Sequence, residues 1–304
     1  MTEKIELKVY GTRGSCATGS KEYMEFGGDT SSYTLRHGDN VHFLDAGSGI
    51  RRAMANDLSP NIKRAYLYIS HGHADHIDMG CASGIYNNKL EFGIEVIGYS
   101  QVTRALAKLF DDETMWPVHI SALKGLNPKM TAVEGGESFE YPNYRVSTLR
   151  NFHPSKGFGG SVGFRFDMDK KVDGLTPVMS IAYVTDMEFD YKPGAKTQEE
   201  AEKLKRDFVR FVSGVDLLVA DTHFTREEYE KTMPFVRGWG HANLEQVIDL
   251  ANEAGVRTLV GAHHAPQHTD ELLRKIEAAG KYYAKANGFR GDFALARDGD
   301  VFSF

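Results

Sequence analysis

Hydrophobic and polar positions alternate at the start of the chain. Apolar side chains at positions 5, 7 and 9 alternate with Glu6, Lys8 and Tyr10. A repeat of two residues is typical of a strand with one buried face. A glycine-containing turn, Gly11-Thr-Arg-Gly14, follows. Nine later runs, most of them short and apolar, also predict strands, at 32–37, 41–45, 65–70, 94–98, 144–149, 161–166, 178–185, 217–221 and 258–262.

Helical periodicity fills the intervals between these strands. It predicts helices at 49–56, 101–110, 198–212, 243–254 and 270–286. Strands and helices interleave to the end without a Pro/Gly/Ser-rich linker, which predicts one α/β domain over residues 1–304. The least patterned stretch, 111–138, is typical of an irregular insertion or a lid over a site. No internal repeat of fixed period is evident.

Composition narrows the class of protein. The 304 residues are 41% hydrophobic and 26% charged, which excludes low-complexity and largely disordered chains. The apolar runs are too short to span a bilayer, and the charged N-terminus is not typical of a signal peptide, so we expect a cytoplasmic protein without a membrane partner. The net charge of -6 disfavours extended nucleic acid as a partner.

The two cysteines, Cys16 and Cys81, cannot form a disulfide framework. Cys81 lies five positions after a histidine cluster, where its thiol could bind metal. We expect it instead to pack as a small buried hydrophobe.

The histidine cluster carries the strongest chemical signal. A predicted strand ends at Ser70 and is followed directly by His71-Gly-His73-Ala-Asp75-His76. A turn at this point lets His71 and His73 converge on one cation, while Asp75 and His76 face a neighbouring one. Imidazole nitrogen with carboxylate oxygen suits zinc, iron or manganese better than calcium. The alternative is a polar turn of surface histidines.

This segment resembles the HxHxDH motif of the metallo-β-lactamase superfamily of binuclear metallohydrolases. Further segments resemble elements of that family in the expected order, and they are Leu44-Asp-Ala-Gly-Ser-Gly49, Asn151-Phe-His-Pro154, Ser161-Val-Gly-Phe-Arg165, Tyr183-Val-Thr-Asp186 and Val260-Gly-Ala-His-His-Ala-Pro266. The resemblance implies an αβ/βα four-layer sandwich, in which two mixed β-sheets are flanked by helices.

The resemblance also implies two divalent transition-metal ions, with zinc expected first and manganese or iron as alternatives. The implied ligands are His71, His73 and His153 for the first ion, Asp75, His76 and His263 for the second, and Asp186 between them. Two ions about 3.5–4 Å apart can share a hydroxide and lower its pKa. His264 competes with His263 for the last position, which otherwise leaves His264 a supporting or substrate-binding role.

Two segments near the N-terminus resemble the phosphodiesterase branch of this superfamily. Tyr10-Gly-Thr-Arg-Gly-Ser15 and Phe26-Gly-Gly-Asp-Thr-Ser-Ser32 are similar to stretches of phosphoribosyl cyclic phosphodiesterases, cyclic-nucleotide phosphodiesterases and RNase Z. Asp29 stands where asparagine is usual, and it adds negative charge near the expected metals. No basic arm of the kind that RNase Z carries is evident in the sequence, which favours a small phosphodiester as substrate.

Catalytic and substrate-binding residues follow from the same resemblance. Leu217–Phe224 and Gly238–Asn243 are similar to segments whose acid and histidine cooperate, which implies that His241, supported by Asp221, protonates the leaving alkoxide. The alternative for His241 is a capping or buried polar contact at the helix from Asn243. Asp75 is placed among the catalytic residues as well as the ligands. The candidate substrate contacts are His264, Arg13, His223 and Trp116, and Arg165 is considered beside Arg13 and His223 for contact with an anionic substrate. The alternative for these three is a surface or strand-end contact.

The expected function is therefore a binuclear metal-dependent phosphodiesterase acting on a small cyclic nucleotide or ribose phosphodiester by attack of a metal-bridged hydroxide. A lactonase- or β-lactamase-like acyl hydrolase on the same metal site is one alternative. A non-catalytic nucleotide-binding protein is another. Relatives often form dimers, so a homodimer stays open.

Overall fold

The computed structural model describes residues 4–87, 90–91, 93–111, 115–154, 159–169, 178–190, 197–231 and 236–304. The chain divides into two compact units. The first unit holds Met1–Val133 together with Arg297–Phe304, and the second unit holds Glu134–Ala296. The single domain that the sequence predicts over 1–304 stays a prediction, because a chain that divides into two compact units can still be one domain.

The described strands of the first unit form one mixed sheet. They are β1 (Ile5–Gly11), β2 (Ser32–His37), β3 (Asn40–Leu44), β4 (Arg64–Ile69), β5 (Ile94–Tyr99), β6 (Leu126–Val133) and, at the end of the chain, β14 (Val301–Ser303). Their spatial order is β14-β1-β2-β3-β4-β5-β6. The pairs from β14 to β3 are antiparallel, and the pairs from β3 to β6 are parallel.

The second unit has a sheet of the same plan. Its described strands are β7 (Ser138–Tyr141), β8 (Tyr144–Asn151), β9 (Ser161–Asp169), β10 (Val178–Val184), β11 (Leu217–Asp221), β12 (Thr258–Ala262) and β13 (Asp292–Leu295). Their order is β13-β12-β11-β10-β9-β8-β7. The pairs from β7 to β10 are antiparallel, and those from β10 to β13 are parallel.

Helices flank both sheets. They are α1 (Ile50–Asp57), α2 (Ala74–Ile77), α3 (Val102–Phe110), α4 (Gln198–Phe211), α5 (Arg226–Lys231), α6 (Leu244–Glu253) and α7 (Asp270–Ala286). In the first unit, α1 packs on β1, β2 and β3, and in the second unit, α6 packs on β11 and β12. Every residue of β11 is buried, as expected of a parallel strand covered on both faces. The predicted α/β class with two mixed sheets is confirmed.

The structure differs from the sequence-based prediction in some elements. Within the stretch 111–138, for which the sequence predicts an irregular insertion, residues 126–133 form the edge strand β6, and residues 112–114 lie outside the described residues. The expected burial of Cys81 is wrong, because its side chain is exposed. Among the described helices, none combines the length and the apolar character that crossing a membrane requires.

Candidate metal centre

The histidine loop of the first unit is fixed by one buried carboxylate. Asp45 follows β3, and its Oδ1 accepts the backbone N–H of Ser70 at 2.7 Å. Its Oδ2 accepts the Ser70 hydroxyl at 2.8 Å and lies 2.7 Å from Nδ1 of His76. A carboxylate at Nδ1 favours the tautomer with the proton on Nδ1, so Nε2 of His76 carries the lone pair that a metal needs.

The predicted ligands of this loop lie together. The ring centroid of His71 is 4.5 Å from that of His73 and 4.3 Å from that of His76. Nε2 of His76 is 3.2 Å from Oδ2 of Asp75, and the same oxygen accepts the backbone N–H of Ser15 at 2.7 Å. One short segment of the first unit thus presents three imidazoles and one carboxylate.

In the second unit, His153 is oriented by a backbone carbonyl. Its Nδ1 lies 3.1 Å from the carbonyl oxygen of Gly240, and its Nε2 lies 3.7 Å from Oδ1 of Asp186. Gly240 has a φ of +94°, and a Cβ at this position would lie 2.0 Å from Nδ1 of His153. Glycine is therefore required where the carbonyl approaches the ring so closely.

His263, rather than His264, faces the predicted bridging carboxylate. Nε2 of His263 is 3.3 Å from Oδ2 of Asp186, an oxygen that also accepts the Thr185 hydroxyl at 2.7 Å. Nε2 of His264 instead lies 2.9 Å from the carbonyl oxygen of Ala296. This arrangement supports His263 as the ligand and a supporting role for its neighbour.

Several predicted ligands, and residues that contact them, have a strained backbone conformation. Four described residues other than glycine have a positive φ, and they are Ser15 (64°), Asp45 (56°), Asp186 (49°) and His263 (61°). Each is a predicted ligand or directly supports one. A non-glycine residue in this region costs roughly 1–3 kcal/mol and persists where its surroundings determine its conformation, which is common at functional sites.

Asp221 and His241 form the predicted pair. Nδ1 of His241 lies 2.8 Å from Oδ2 of Asp221, and the backbone N–H of His223 donates to Oδ1 of Asp221 at 2.9 Å. The rings of His223 and His241 stack with centroids 4.3 Å apart. The alternative capping role of His241 is taken by Asn243, whose side chain accepts the N–H of Gln246 at 3.0 Å.

The protonation states of these groups are set mainly by burial. Burial, aided by the His223 ring, lowers the pKa of His241 well below its ordinary value. Burial also lowers the pKa of His223 to about 3 and raises the pKa of Asp221 well above its ordinary value. Burial thus favours the neutral form of the His241 imidazole, and negative charge nearby favours its protonated form.

The donor set fits a cation. In the second unit, Asp221, His223, His241 and His263 can each offer a ligand atom within 4.8 Å of the others, and so can His153, Asp186 and His241. Nitrogen with carboxylate oxygen suits zinc and other first-row ions. His241 belongs to both groups, so its position alone permits a ligand role beside the predicted proton donor.

Glu188 contacts the turn before His241, and no motif in the sequence pointed to it. Its carboxylate is buried and accepts the hydroxyl of Tyr229 and the backbone N–H groups of Gly238 and Gly240. A single acid two positions after Asp186 gives no signal by itself. The glycines spaced two apart before His241 were the available hint of a tight turn that needs an acceptor.

Arg13, a predicted substrate contact, is held inside the first unit. It is fully buried, its Nε donates to the carbonyl of Gly27 at 2.7 Å, and its guanidinium lies 5.0 Å from the ring centre of Tyr23. This placement favours a structural role over contact with substrate. Trp116 donates from Nε1 to the hydroxyl of Tyr86 at 2.8 Å, and its contact with substrate stays a prediction.

Other predicted polar side chains are also paired. Arg165 donates to Asp167 at 3.0 Å and to the carbonyl of Phe211 at 2.7 Å, as expected of a strand contact. Asp29, the departure from the usual asparagine, accepts a bond from Arg52 at 2.8 Å. Its negative charge is therefore paired within the first unit.

The fold and these clusters define an α/β protein with the metallo-β-lactamase fold. The family model described as the β-lactamase superfamily domain matches residues 43–264, and the chain belongs to this family. Ribonuclease Z of Bacteroides fragilis is 22% identical over 303 residues, which cover 91% of this chain and 94% of that protein.

Two solved structures share the fold. The metallo-β-lactamase fold protein YhfI from Bacillus subtilis has a TM-score of 0.65 and 18% identity, covering 99% of this chain and 100% of that chain. Unliganded yeast PDE1 has a TM-score of 0.67 and 13% identity, covering 99% of both chains. The suspected superfamily and its fold are confirmed.

Proposed function

We propose that the protein is a binuclear metal-dependent phosphodiesterase acting on a small phosphodiester, such as a cyclic nucleotide or a ribose cyclic phosphate. The observation that carries the proposal is the buried pair of Asp221 and His241, 2.8 Å apart, with Nδ1 of His241 3.9 Å from Asp186. An oriented imidazole beside metal-type ligands suits a reaction whose leaving group is an alkoxide. The relatives named ribonuclease Z are phosphodiester-cleaving enzymes by name.

The seven ligands implied by the resemblance are proposed to hold two divalent ions. They are His71, His73, Asp75, His76, His153, Asp186 and His263. When bound, such ions supply positive charge that neutralises phosphate oxygens and lowers the pKa of an attacking water. Zinc is the first expectation, with manganese or iron as alternatives.

Side chains of the protein are proposed to deliver a proton to the leaving group. Asp221 fixes Nδ1 of His241, so Nε2 is the nitrogen that can give a proton to the departing oxygen. Burial lowers the pKa of His241 and so favours the neutral imidazole, whereas the negative charge of a bound phosphodiester favours its protonated form. We therefore expect His241 to take up a proton with substrate and release it to the leaving group.

The test is a turnover screen with purified protein that is stripped of metal and reconstituted separately with zinc, manganese and iron. The substrates are 2′,3′- and 3′,5′-cyclic nucleotides, bis-p-nitrophenyl phosphate and a lactone. We expect turnover of the small phosphodiesters. Cleavage of the lactone alone would establish the acyl-hydrolase alternative, and nucleotide binding without turnover would establish the non-catalytic one.

A second candidate is cleavage of an RNA end. The match to ribonuclease Z over 91% of the chain favours it, whereas the net charge of -6 favours a small substrate. Precursor tRNA added to the same screen separates the two, because cleavage of tRNA without turnover of small phosphodiesters would replace the first proposal.

A further inference from the structure

Three hydrogen-bond donors converge on one buried carboxylate beside the site. Glu188 is 1% exposed. Its Oε1 accepts the Tyr229 hydroxyl at 2.5 Å and the N–H of Gly238 at 2.5 Å, while its Oε2 accepts the N–H of Gly240 at 2.9 Å. Its own N–H donates to the carbonyl of Phe152 at 3.1 Å. Both oxygens and the backbone are therefore fixed.

The segment held in this way leads directly to His241. Gly238 and Gly240 have φ values of +85° and +94°, so they form a tight turn. The side chain at its tip, Trp239, is 51% exposed, so apolar burial anchors the start of the turn at Val236 but not its tip. Within the turn, the N–H of Trp239 donates to the carbonyl of Val236 at 3.0 Å, and the bonds from Gly238 and Gly240 to Glu188 tie the turn to a buried side chain outside it.

The same turn reaches two site residues. The carbonyl of Gly240 accepts from Nδ1 of His153, and the next residue is His241, whose Nδ1 is bound to Asp221. A shift of the turn would thus move the anchor of one predicted ligand and the backbone of the predicted proton donor together.

Only a carboxylate satisfies all three donors. Burial and then the adjacent carboxylate raise the pKa of Tyr229, which keeps its hydroxyl as a donor. A glutamine at position 188 offers one oxygen, and its amide NH₂ faces an N–H group that has no acceptor. Bonds to an ionised acceptor are also about twice as strong as neutral ones.

We propose that Glu188 is a positioning residue, which sets the orientation of His241 through the Gly238–Gly240 turn. This inference rests on the proposed function for its kinetic part only. Its structural part, that the carboxylate holds the turn, can be measured without substrate or metal.

The first measurement is hydrogen exchange of residues 236–241 in Glu188→Gln. We expect the amides of Gly238 and Gly240 to lose protection, because their acceptor is altered. The matched control is Asp57→Asn, a change of the same kind in the first unit, where a buried carboxylate accepts the hydroxyls of Tyr10 and Thr34 at 2.9 and 2.6 Å. This control should leave the turn protected.

The second measurement is kcat at saturating metal with two leaving groups. A catalytic group displaced by about 1 Å can cost roughly 10²-fold, so Glu188→Gln should lower kcat for a cyclic nucleotide by about 10–100-fold. We expect KM to change little. The loss should be smaller with bis-p-nitrophenyl phosphate, because p-nitrophenolate leaves without a proton. A merely structural defect would lower both rates equally.

Unchanged exchange, or equal losses with both leaving groups, would overturn the inference. If Glu188→Gln does not fold, Tyr229→Phe removes one donor and keeps the carboxylate, and it should give a smaller loss with the same leaving-group selectivity. A wild-type protein without phosphodiester turnover would refute the proposed function, while the exchange result would still decide whether Glu188 holds the turn.

Discussion

The two units contain sheets with the same arrangement of antiparallel and parallel strands, but their predicted metal ligands are distributed differently along the chain. In the first unit the four predicted ligands lie within six consecutive positions after β4, from His71 to His76. In the second unit they are spread over more than one hundred positions, after β8, β10 and β12. Local sequence brings the first set together, whereas strand order brings the second set together.

The supporting contacts differ in the same way. Asp45 contacts both Ser70 and His76 in the first unit. In the second unit, His153 depends on the Gly240 carbonyl, which depends in turn on Glu188. We therefore expect side-chain substitutions to disturb the first set directly and the second set through its supporting turn.

Loss of a ligand from either unit should have the largest effect. His71→Ala and His263→Ala should each reduce the metal content from about two ions per chain, and the loss of kcat should exceed roughly 10⁴-fold, the upper end of what a general acid contributes. Elemental analysis and single-substrate kinetics measure both quantities.

The control for the second unit is His264→Ala, whose ring is bound to the Ala296 carbonyl and whose loss should leave the metal content unchanged. If His71→Ala lost metal and His263→Ala did not, His263 would not be a ligand. If His264→Ala lost metal in place of His263→Ala, the ligand assignment would be reversed.

His241→Ala should have the next largest effect. Both ions should stay bound, while kcat for a ribose alkoxide leaving group should fall by roughly 10²–10⁴-fold. A p-nitrophenolate leaving group should recover much of the loss, and Asp221→Asn should follow the same trend more weakly. Loss of an ion in His241→Ala would instead assign this residue to the ligands.

Asp45→Asn tests the support of the first unit. An amide has one oxygen, so it cannot accept from the backbone N–H of Ser70 at one position while it accepts from the Ser70 hydroxyl and His76 at the other, and the histidine loop loses its orientation. Removing such a partner of a metal-binding histidine typically costs about 10–100-fold in metal affinity. Competition with a chelator measures it, and an unchanged affinity would show that the loop is fixed without Asp45.

The sequence predicted the class of fold and most of its central elements, because buried parallel strands are short apolar runs between helices. Strands β2, β11 and β12 have the predicted bounds. The strands that it did not predict lie at or next to sheet edges. One edge strand, β6, contains Pro128, which tertiary pairing tolerates at an edge.

The sequence predicted the ligands of the two units on different grounds. His71–His76 is a local pattern, whereas the remaining ligands were placed by resemblance. The shared sheet plan leaves no repeat in the sequence, since it is kept by strand order rather than residue identity. Glu188 acts through hydrogen bonds to backbone N–H groups. Backbone N–H groups are not specific to a residue type, so no sequence pattern predicts this role of Glu188.

The smallest effect is expected at Asp29, where the resemblance to the phosphodiesterase branch implies asparagine. Arg52 bonds to both Asp29 and Asp298, at 2.8 and 2.7 Å, and these side chains are partly exposed. Asp29→Asn should therefore lower the free energy of unfolding by only about 0.5–1 kcal/mol, which thermal unfolding measures. Asp298→Asn is the matched control and should cost a similar amount.

Asp29→Asn also tests whether the carboxylate affects substrate binding. Because Arg52 already neutralises Asp29, the asparagine should leave KM for a small phosphodiester unchanged. A clear fall in KM in Asp29→Asn alone would show that the carboxylate repels the substrate, and that this departure sets the affinity of the first unit for phosphate.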